Sequence, residues 1–244
     1  MDTIRPLPPL SPRSALFLDF DGTLADIAPQ PDAVRVPPAL VAQLTRLHGR
    51  LGGALAIVTG RPIADIDRFL HPLVLPVAGE HGAQYRMADG SAHGLPPAPL
   101  DAAVAAAAAL VAQHPELLLE RKIAGLALHY RNAPGLESLC RQTLRQAVAA
   151  VPGTDLLEGK FVLELKPRGV NKGQAIDVFM AGAPFVGRDP VFAGDDVTDE
   201  AAFAAVQAHG GQGIKVGSGP TAAALRCAGP AALREWIAAQ AVPA

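Results

Sequence analysis

Cysteine is scarce in this chain. Its two cysteines, Cys140 and Cys227, lie far apart and outside any metal-type spacing. That excludes a disulfide framework and suits a reducing cytoplasm. Net charge is equally slight: 21 Lys and Arg against 23 Asp and Glu leave a formal charge of −2. Without a basic excess, neither nucleic acid nor an anionic membrane is expected as a partner. Long apolar runs are missing too. AAVAAAAALVA (102–112) comes closest, but it falls short of the roughly 18 residues that span a bilayer, and its alanines read as helix formers. The N-terminal MDTIRPLPPLSPRSALFLDF has no continuous apolar segment behind a basic start, so no signal peptide is expected.

What the chain does have is material for a core. Half of its 244 residues are hydrophobic, enough for one large domain or two modest ones. Three apolar runs end in polar clusters: ALFLD (15–19), ALAIVTG (54–60) and PVFAGDD (190–196). Continuous apolar runs of this length suit parallel strands covered on both faces. Helical patterns follow at 37–50, at 60–70 with Pro62 in the first turn, at 171–181, at 198–210 with Thr198 as cap, and at 230–240 with Trp236 facing the core. The alternation argues for a doubly wound α/β parallel sheet.

The middle of the chain has another rhythm. Residues 99–114 and 136–151 read as helices, and each precedes a hairpin: 116–132, bent at Ala124-Gly125, and 154–167, turning near Gly159. Helix-strand-strand, twice, predicts a small α+β module at 84–168 inserted into a core of 1–83 and 169–244. The proline-rich segment 94–100 and KPRG (166–169) fall near its boundaries. In its strands, Leu126, Leu128, Tyr130, Phe161, Leu163 and Leu165 alternate onto one face. The opposite face collects Glu120, Lys122, His129, Arg131, Glu164 and Lys160. Such a face is either plainly solvated or suited to a polyhydroxyl ligand, because carboxylates accept from sugar hydroxyls while Lys, Arg and His donate to them.

The chemistry concentrates where strands end. LFLDFDGTLADIAP (16–29) closes an apolar run with two carboxylates. Strand alternation predicts Asp19 and Asp21 on one side and Phe20 on the other. Like charges so close raise each other's proton affinity, which calls for a metal, a proton or chemistry. Asp195-Asp196 repeats the pattern, and Asp199 follows. Such acids suit Mg2+, a hard cation with oxygen ligands, which also screens an approaching phosphate. Thr59 and Lys172, at the strand end and helix start of AIVTGRP and NKGQA, offer a hydroxyl and a cation to phosphoryl oxygens.

In order and rough spacing, DFDGTLADIAP, AIVTGRP, NKGQA and GDDVTDE resemble the motifs of the haloacid dehalogenase (HAD) phosphatase superfamily. AGEHGAQYR (78–86), LERKIAGLALHYR (119–131) and EGKFVLELKPRGVNKGQA (158–175) extend the likeness to trehalose-6-phosphate phosphatases. The resemblance implies a HAD-like hydrolase core with an inserted α+β cap that sets substrate specificity, and a small sugar phosphate as partner. It implies Asp19 as nucleophile and Asp21 as general acid and then base. It implies Mg2+ held by Asp19, the backbone carbonyl of Asp21, and Asp195, with Asp196 or Asp199 supporting that shell. Phosphate falls to Thr59 and Lys172. Arg61, Glu80 and His81 are expected where core and cap meet, and Lys122, His129, Arg131, Lys160 and Glu164 at the disaccharide. Two alternatives stand beside this: a phosphatase for another sugar phosphate, and a non-catalytic domain that binds one.

Overall fold

A computed structural model describes residues 6–28, 30–96 and 99–242. In chain order, β1 (Ser14–Leu18) leads through α1 (Pro38–Arg50) to β2 (Leu55–Val58), and α2 (Ile63–Leu70) leads to β3 (Val77–Gly79). The short strands β4 (Gln84–Arg86) and β5 (Ala92–Gly94) follow. Next come α3 (Asp101–Gln113), the hairpin β6 (Leu118–Arg121) and β7 (Leu126–His129), α4 (Glu137–Ala150), and the hairpin β8 (Thr154–Gly159) and β9 (Val162–Pro167). The chain closes with α5 (Lys172–Met180), β10 (Asp189–Gly194), α6 (Glu200–Ala208), β11 (Gln212–Val216), β12 (Leu225–Cys227) and α7 (Pro230–Gln240). It divides into two compact units, Met1–His93 with Asn171–Ala244, and Gly94–Val170.

The first unit holds a sheet in the order β12-β11-β10-β1-β2-β3-β4-β5. From β12 to β3 every pairing is parallel. Each residue of β1 and β2 is buried, as a strand covered on both faces requires. Phe17 anchors this core, its ring centroid 5.2 Å from Phe185 and 5.9 Å from Phe179. Trp236 packs against the core while only half-buried, because its indole donates to the Pro8 carbonyl. Sequence order runs outward from β1 through β2 to β3, and outward again from β10 through β11 to β12. The order therefore reverses between β1 and β10, where ligands of open α/β sheets bind.

The division falls at 93/94 and 170/171 rather than at the expected 84 and 168. Residues 84–86 belong to the large sheet: β4 pairs antiparallel with β3, and Tyr85 meets Phe179 edge-on at 6.0 Å. Pro97 and Ala98 of the proline-rich boundary segment lie outside the described residues.

The second unit is a sheet in the order β6-β7-β9-β8, antiparallel throughout. Leu126, Leu128, Tyr130, Leu163 and Leu165 bury one face against Ala103, Ala107 and Leu110 of α3 and Cys140, Leu144 and Ala147 of α4. The period-2 pattern of the sequence fixes that face, except at Phe161, which alternation places on it but which precedes β9 at φ 64° and is exposed.

Phe17→Ala removes a fully buried ring from between two others. It is expected to cost about 3–5 kcal/mol in urea unfolding, whereas Val186→Ala, at a side chain 57% exposed, changes stability by less than about 0.5 kcal/mol.

Candidate active site

The β1–β10 pairing builds the site. Leu18 lies opposite Ala193, and the Asp19 amide donates to the Ala193 carbonyl at 2.9 Å, so both strands deliver acids at one point. Asp19, Asp195 and Asp199 each place a carboxylate oxygen within 4.8 Å of the others. Lys172, first residue of α5, sits among them, its Nζ donating to Asp19 Oδ1 at 2.7 Å and Asp199 Oδ1 at 2.6 Å. These three side chains are 3%, 6% and 0% exposed for Lys172, Asp19 and Asp199. The Thr23 hydroxyl lies 3.3 Å from both Asp19 Oδ2 and Asp195 Oδ1, and its one proton serves one of them at a time. Buried Lys215 donates to the Asp195 carbonyl at 2.6 Å.

Local sequence makes these approaches possible. Gly22 has φ +75°, and a Cβ there would lie 2.2 Å from Asp195 Oδ2. A Cβ on Gly194 would lie 2.4 Å from Asp199 Cγ. Asn171 caps α5 by accepting from the Gln174 amide at 3.0 Å, which sets the position of Lys172. The turn before α6 is closed by Asp196 and Asp199, not by Thr198 as expected. Asp196 Oδ1 accepts from the Val197 amide at 2.8 Å, while the Asp196 amide donates to Asp199 Oδ2 at 2.9 Å. Asp196 thus spends its carboxylate on backbone and stays outside the three-carboxylate group. Asp199 splits its two oxygens between the turn and Lys172.

Three carboxylates meet one ammonium directly, with the buried Lys215 ammonium on the Asp195 carbonyl, so carboxylates outnumber cations here. Burial drives the Asp19 carboxyl well above its ordinary range; Lys172 opposes this, and Asp199 and Asp195 add to it. Burial and then the charge of Asp199 push Asp195 up to about 6. Lys172 is held protonated by Asp19 and Asp199, which outweigh its own burial. An excess of carboxylates among hard oxygen donors fits a hard divalent cation such as Mg2+. Asp19, Asp195 and Asp199 are the side chains placed to hold it.

Asp21 is elsewhere. β1 ends at Leu18, so alternation does not carry through, and the Asp21 carboxylate is gripped by Arg61. Thr59 is buried just beyond β2, and its Oγ1 accepts from the Arg61 amide at 3.2 Å. Glu80 and His81 are buried in left-handed backbone, at φ 47° and 61°. Glu80 Oε1 accepts from Gln84 Nε2 at 2.8 Å, and the His81 amide donates to the Thr59 carbonyl at 2.8 Å. Missed in the sequence are Thr23 and Lys215. Thr23 stands in the motif DGT. Lys215 betrays itself only as a lysine inside the apolar strand GIKV.

The second unit gathers the other polar candidates. Glu120 lies opposite Ala127, and Ala127 opposite Glu164, on neighbouring strands. The two acids therefore flank one small, fully buried residue. Each has a hydrogen-bonding partner: Lys122 Nζ donates to Glu164 Oε2 at 2.6 Å, and His129 Nε2 lies 2.9 Å from Glu120 Oε2. Burial alone would raise Glu120, but the His129 hydrogen bond and the Lys122 charge hold it below its ordinary value. The Lys122 and Glu164 side chains are 6% and 13% exposed, unlike those of a plain solvated face. Arg131 and Lys160 join only at the hairpin end. Arg131 donates to the Lys160 carbonyl at 3.1 Å and lies over the Phe161 ring at 5.4 Å, while the Lys160 side chain is exposed.

Comparison with known proteins bears on this geometry. Residues 17–230 match the profile of the trehalose-phosphatase family. The chain is 43% identical over 233 residues to a trehalose-6-phosphate phosphatase of Escherichia coli (strain K12), covering 94% of this chain and 87% of that protein. It is 44% identical over 205 residues to a probable trehalose-phosphate phosphatase of Sinorhizobium fredii, covering 83% and 77%. The solved structure of a trehalose-6-phosphate phosphatase related protein superposes with TM-score 0.79 at 30% identity, covering 91% of this chain and 94% of that one.

With Asp195 raised to about 6, the folded cluster binds protons more tightly than the unfolded chain. Its contribution to stability therefore falls as pH rises from about 4, the unfolded value, through about 6. A divalent cation offsets the charge left above that window. The gain in thermal midpoint with Mg2+ over EDTA is expected to be larger near pH ~7.5 than near pH ~5 by calorimetry; equal gains would sink the cation assignment.

Proposed function

The chain belongs to the trehalose-phosphatase family and is a phosphatase, and from that premise we propose that it hydrolyses trehalose 6-phosphate to trehalose and phosphate through an aspartyl-phosphate on Asp19. The observation that carries this reading is the buried cluster at the β1–β10 switch point, with one carboxylate, Asp19, braced by Lys172 and Thr23.

In this reading an Asp19 oxygen attacks phosphorus and the bond from phosphorus to the sugar oxygen breaks. The electron pair leaves on that oxygen, which Asp21 protonates. Asp21 then takes a proton from water, whose oxygen attacks phosphorus and releases Asp19 and phosphate. Lys172 has three donors and gives two to Asp19 and Asp199, leaving one to meet a phosphoryl oxygen beside Thr59. Asp19, Asp195 and the Asp21 carbonyl would hold Mg2+, with Asp199 supporting them, and the cation would supply positive charge to the phosphoryl group. The chain's own part is positioning and charge placement, which dominate phosphoryl transfer.

The unit Gly94–Val170 is the specificity module of the same proposal. Its polar face, with Lys122 bound to Glu164 and His129 to Glu120, offers fixed donors and acceptors to sugar hydroxyls. Arg131 and Lys160 flank it, and Arg61, Glu80 and His81 are the first unit's candidates. Among the described residues no helix is long and apolar enough to cross a membrane. The two free, buried cysteines accord with the cytoplasm as the proposed location.

Asp19→Asn keeps the volume and removes the attacking charge. It is expected to abolish phosphate release from trehalose 6-phosphate while the protein stays folded by circular dichroism; normal release would refute the mechanism. With the unaltered protein, release from trehalose 6-phosphate but not from glucose 6-phosphate or sucrose 6-phosphate, lost in EDTA, is the expected pattern. Release from another of these sugars keeps the chemistry and changes the substrate. Binding of sugar phosphates without release would favour the non-catalytic alternative. Glu164→Ala is expected to lower kcat/KM for trehalose 6-phosphate by about tenfold, and for a small aryl phosphate far less. Equal losses would remove this face from sugar recognition.

A further inference from the structure

Asp21 does not reach into the carboxylate cluster, and the residue that holds it is Arg61. Nε donates to Asp21 Oδ2 at 2.6 Å and Nη2 to Asp21 Oδ1 at 2.8 Å, a two-pronged grip in which both oxygens are engaged. The two partners differ in freedom. The Arg61 side chain is 10% exposed and that of Asp21 36%. The guanidinium lies 5.8 Å from the ring centroid of Phe20 and 5.0 Å from that of Phe69. Nη2 also donates to the Pro31 carbonyl at 3.0 Å, and Nη1 lies 3.5 Å from Asp65 Oδ2. Aromatic faces, a carbonyl and a second carboxylate thus fix the arginine independently of Asp21. The backbone of Asp21 is fixed as well, by a bridge to Ala25 and by the Gly22 amide donating to the Ala25 carbonyl at 2.8 Å. What can move is the Asp21 carboxylate, about its own side-chain bonds.

We infer that Arg61 is a positioning residue: a fixed dock that holds the ionised Asp21 carboxylate away from Asp19, Asp195 and Asp199, and from which the carboxyl, once it has taken a proton from solvent, swings to the leaving-group oxygen. This rests on the reading of Asp21 as proton carrier, and it moves Arg61 from the substrate contacts expected of it to a role exerted through Asp21. Without the dock, the carboxylate beside three others is repelled into many orientations, few of them productive. A lysine replaces the charge but not the two-pronged hold.

The test compares leaving groups. A sugar alkoxide needs a proton to depart, whereas p-nitrophenolate leaves without one. In R61M the single-turnover rate of trehalose release from trehalose 6-phosphate is expected to fall by about tenfold or more, while p-nitrophenol release from p-nitrophenyl phosphate falls by less than about threefold. KM for both is expected to stay within about twofold. If R61M does not fold, R61K carries the same comparison. On a D21N background, changing Arg61 is expected to add no further loss for trehalose 6-phosphate. Equal losses for both substrates, additive losses with D21N, or a raised KM at unchanged rate would overturn the inference, the last by making Arg61 a substrate contact. D19N run in parallel separates the failures: turnover by D19N refutes the aspartyl-phosphate reading itself, whereas an inactive D19N with equal R61M losses refutes only the role of Arg61.

Discussion

The ammonium of Lys172, enclosed between Asp19 and Asp199, is the interaction on which the first unit's architecture converges. A lone buried charge is costly, and a buried pair is tolerable only when its geometry is tightly held. Here β1 and β10 carry their acids to one end of the sheet, an asparagine cap starts α5 at Lys172, and a closed turn fixes Asp199. Break any of these and an uncompensated charge is left inside. Asp199 ties the two requirements together, because one oxygen closes the turn before α6 and the other binds Lys172. Fold and site share an atom pair there, so the turn cannot loosen without changing the cluster.

The second unit solves a related problem differently. Its acids sit on strands either side of Ala127, and the small side chain leaves them room. Each has its own hydrogen-bonding partner, Lys122 for Glu164 and His129 for Glu120. Such pairs give a rigid surface with donors and acceptors in set places. The first unit instead gathers more carboxylates than ammoniums, the arrangement that suits a cation and, with it, a phosphate. One unit collects its carboxylates at one point, and the other gives each a hydrogen-bonding partner of its own.

Much of this was legible in the chain. The long runs of β1, β2 and β10, the two hairpins and their apolar faces announce themselves by period and length. The strands that escaped are β3, β4, β5, β11 and β12, with β4 and β5 three residues each. VAG and LRC are three residues long, and QGIKV starts beside a pair of glycines and carries a lysine, so none forms a readable run. Thr198 looked like a cap because threonine often is one, yet Asp196 and Asp199 stand three apart and close the turn between them. The boundary at 84 differs from the observed division because β4, a short antiparallel strand next to the edge of a parallel sheet, reads like the start of the insert. The acids of the cluster were legible as types at strand ends. Their partners were not, since Lys172 lies 153 residues from Asp19, and Arg61 lies 40 from Asp21.

The pairing of Arg61 with Asp21 also resolves the puzzle of two carboxylates at the end of one strand. Alternation would have stacked them on one side, each raising the other's proton affinity. The strand instead stops at Leu18, and Gly22 takes a left-handed turn that closes against Ala25. Asp19 turns to a buried lysine and Asp21 to a buried arginine, with Phe20 buried between them in sequence. Each carboxylate is answered by a separate cation, one compact and one forked. In the proposed mechanism a point charge would suit an oxygen that forms and loses a bond to phosphorus, because it screens without dictating orientation. A planar fork would suit a group whose orientation is its contribution. On that proposal, the difference between lysine and arginine at these two places follows the difference between attacking and carrying protons.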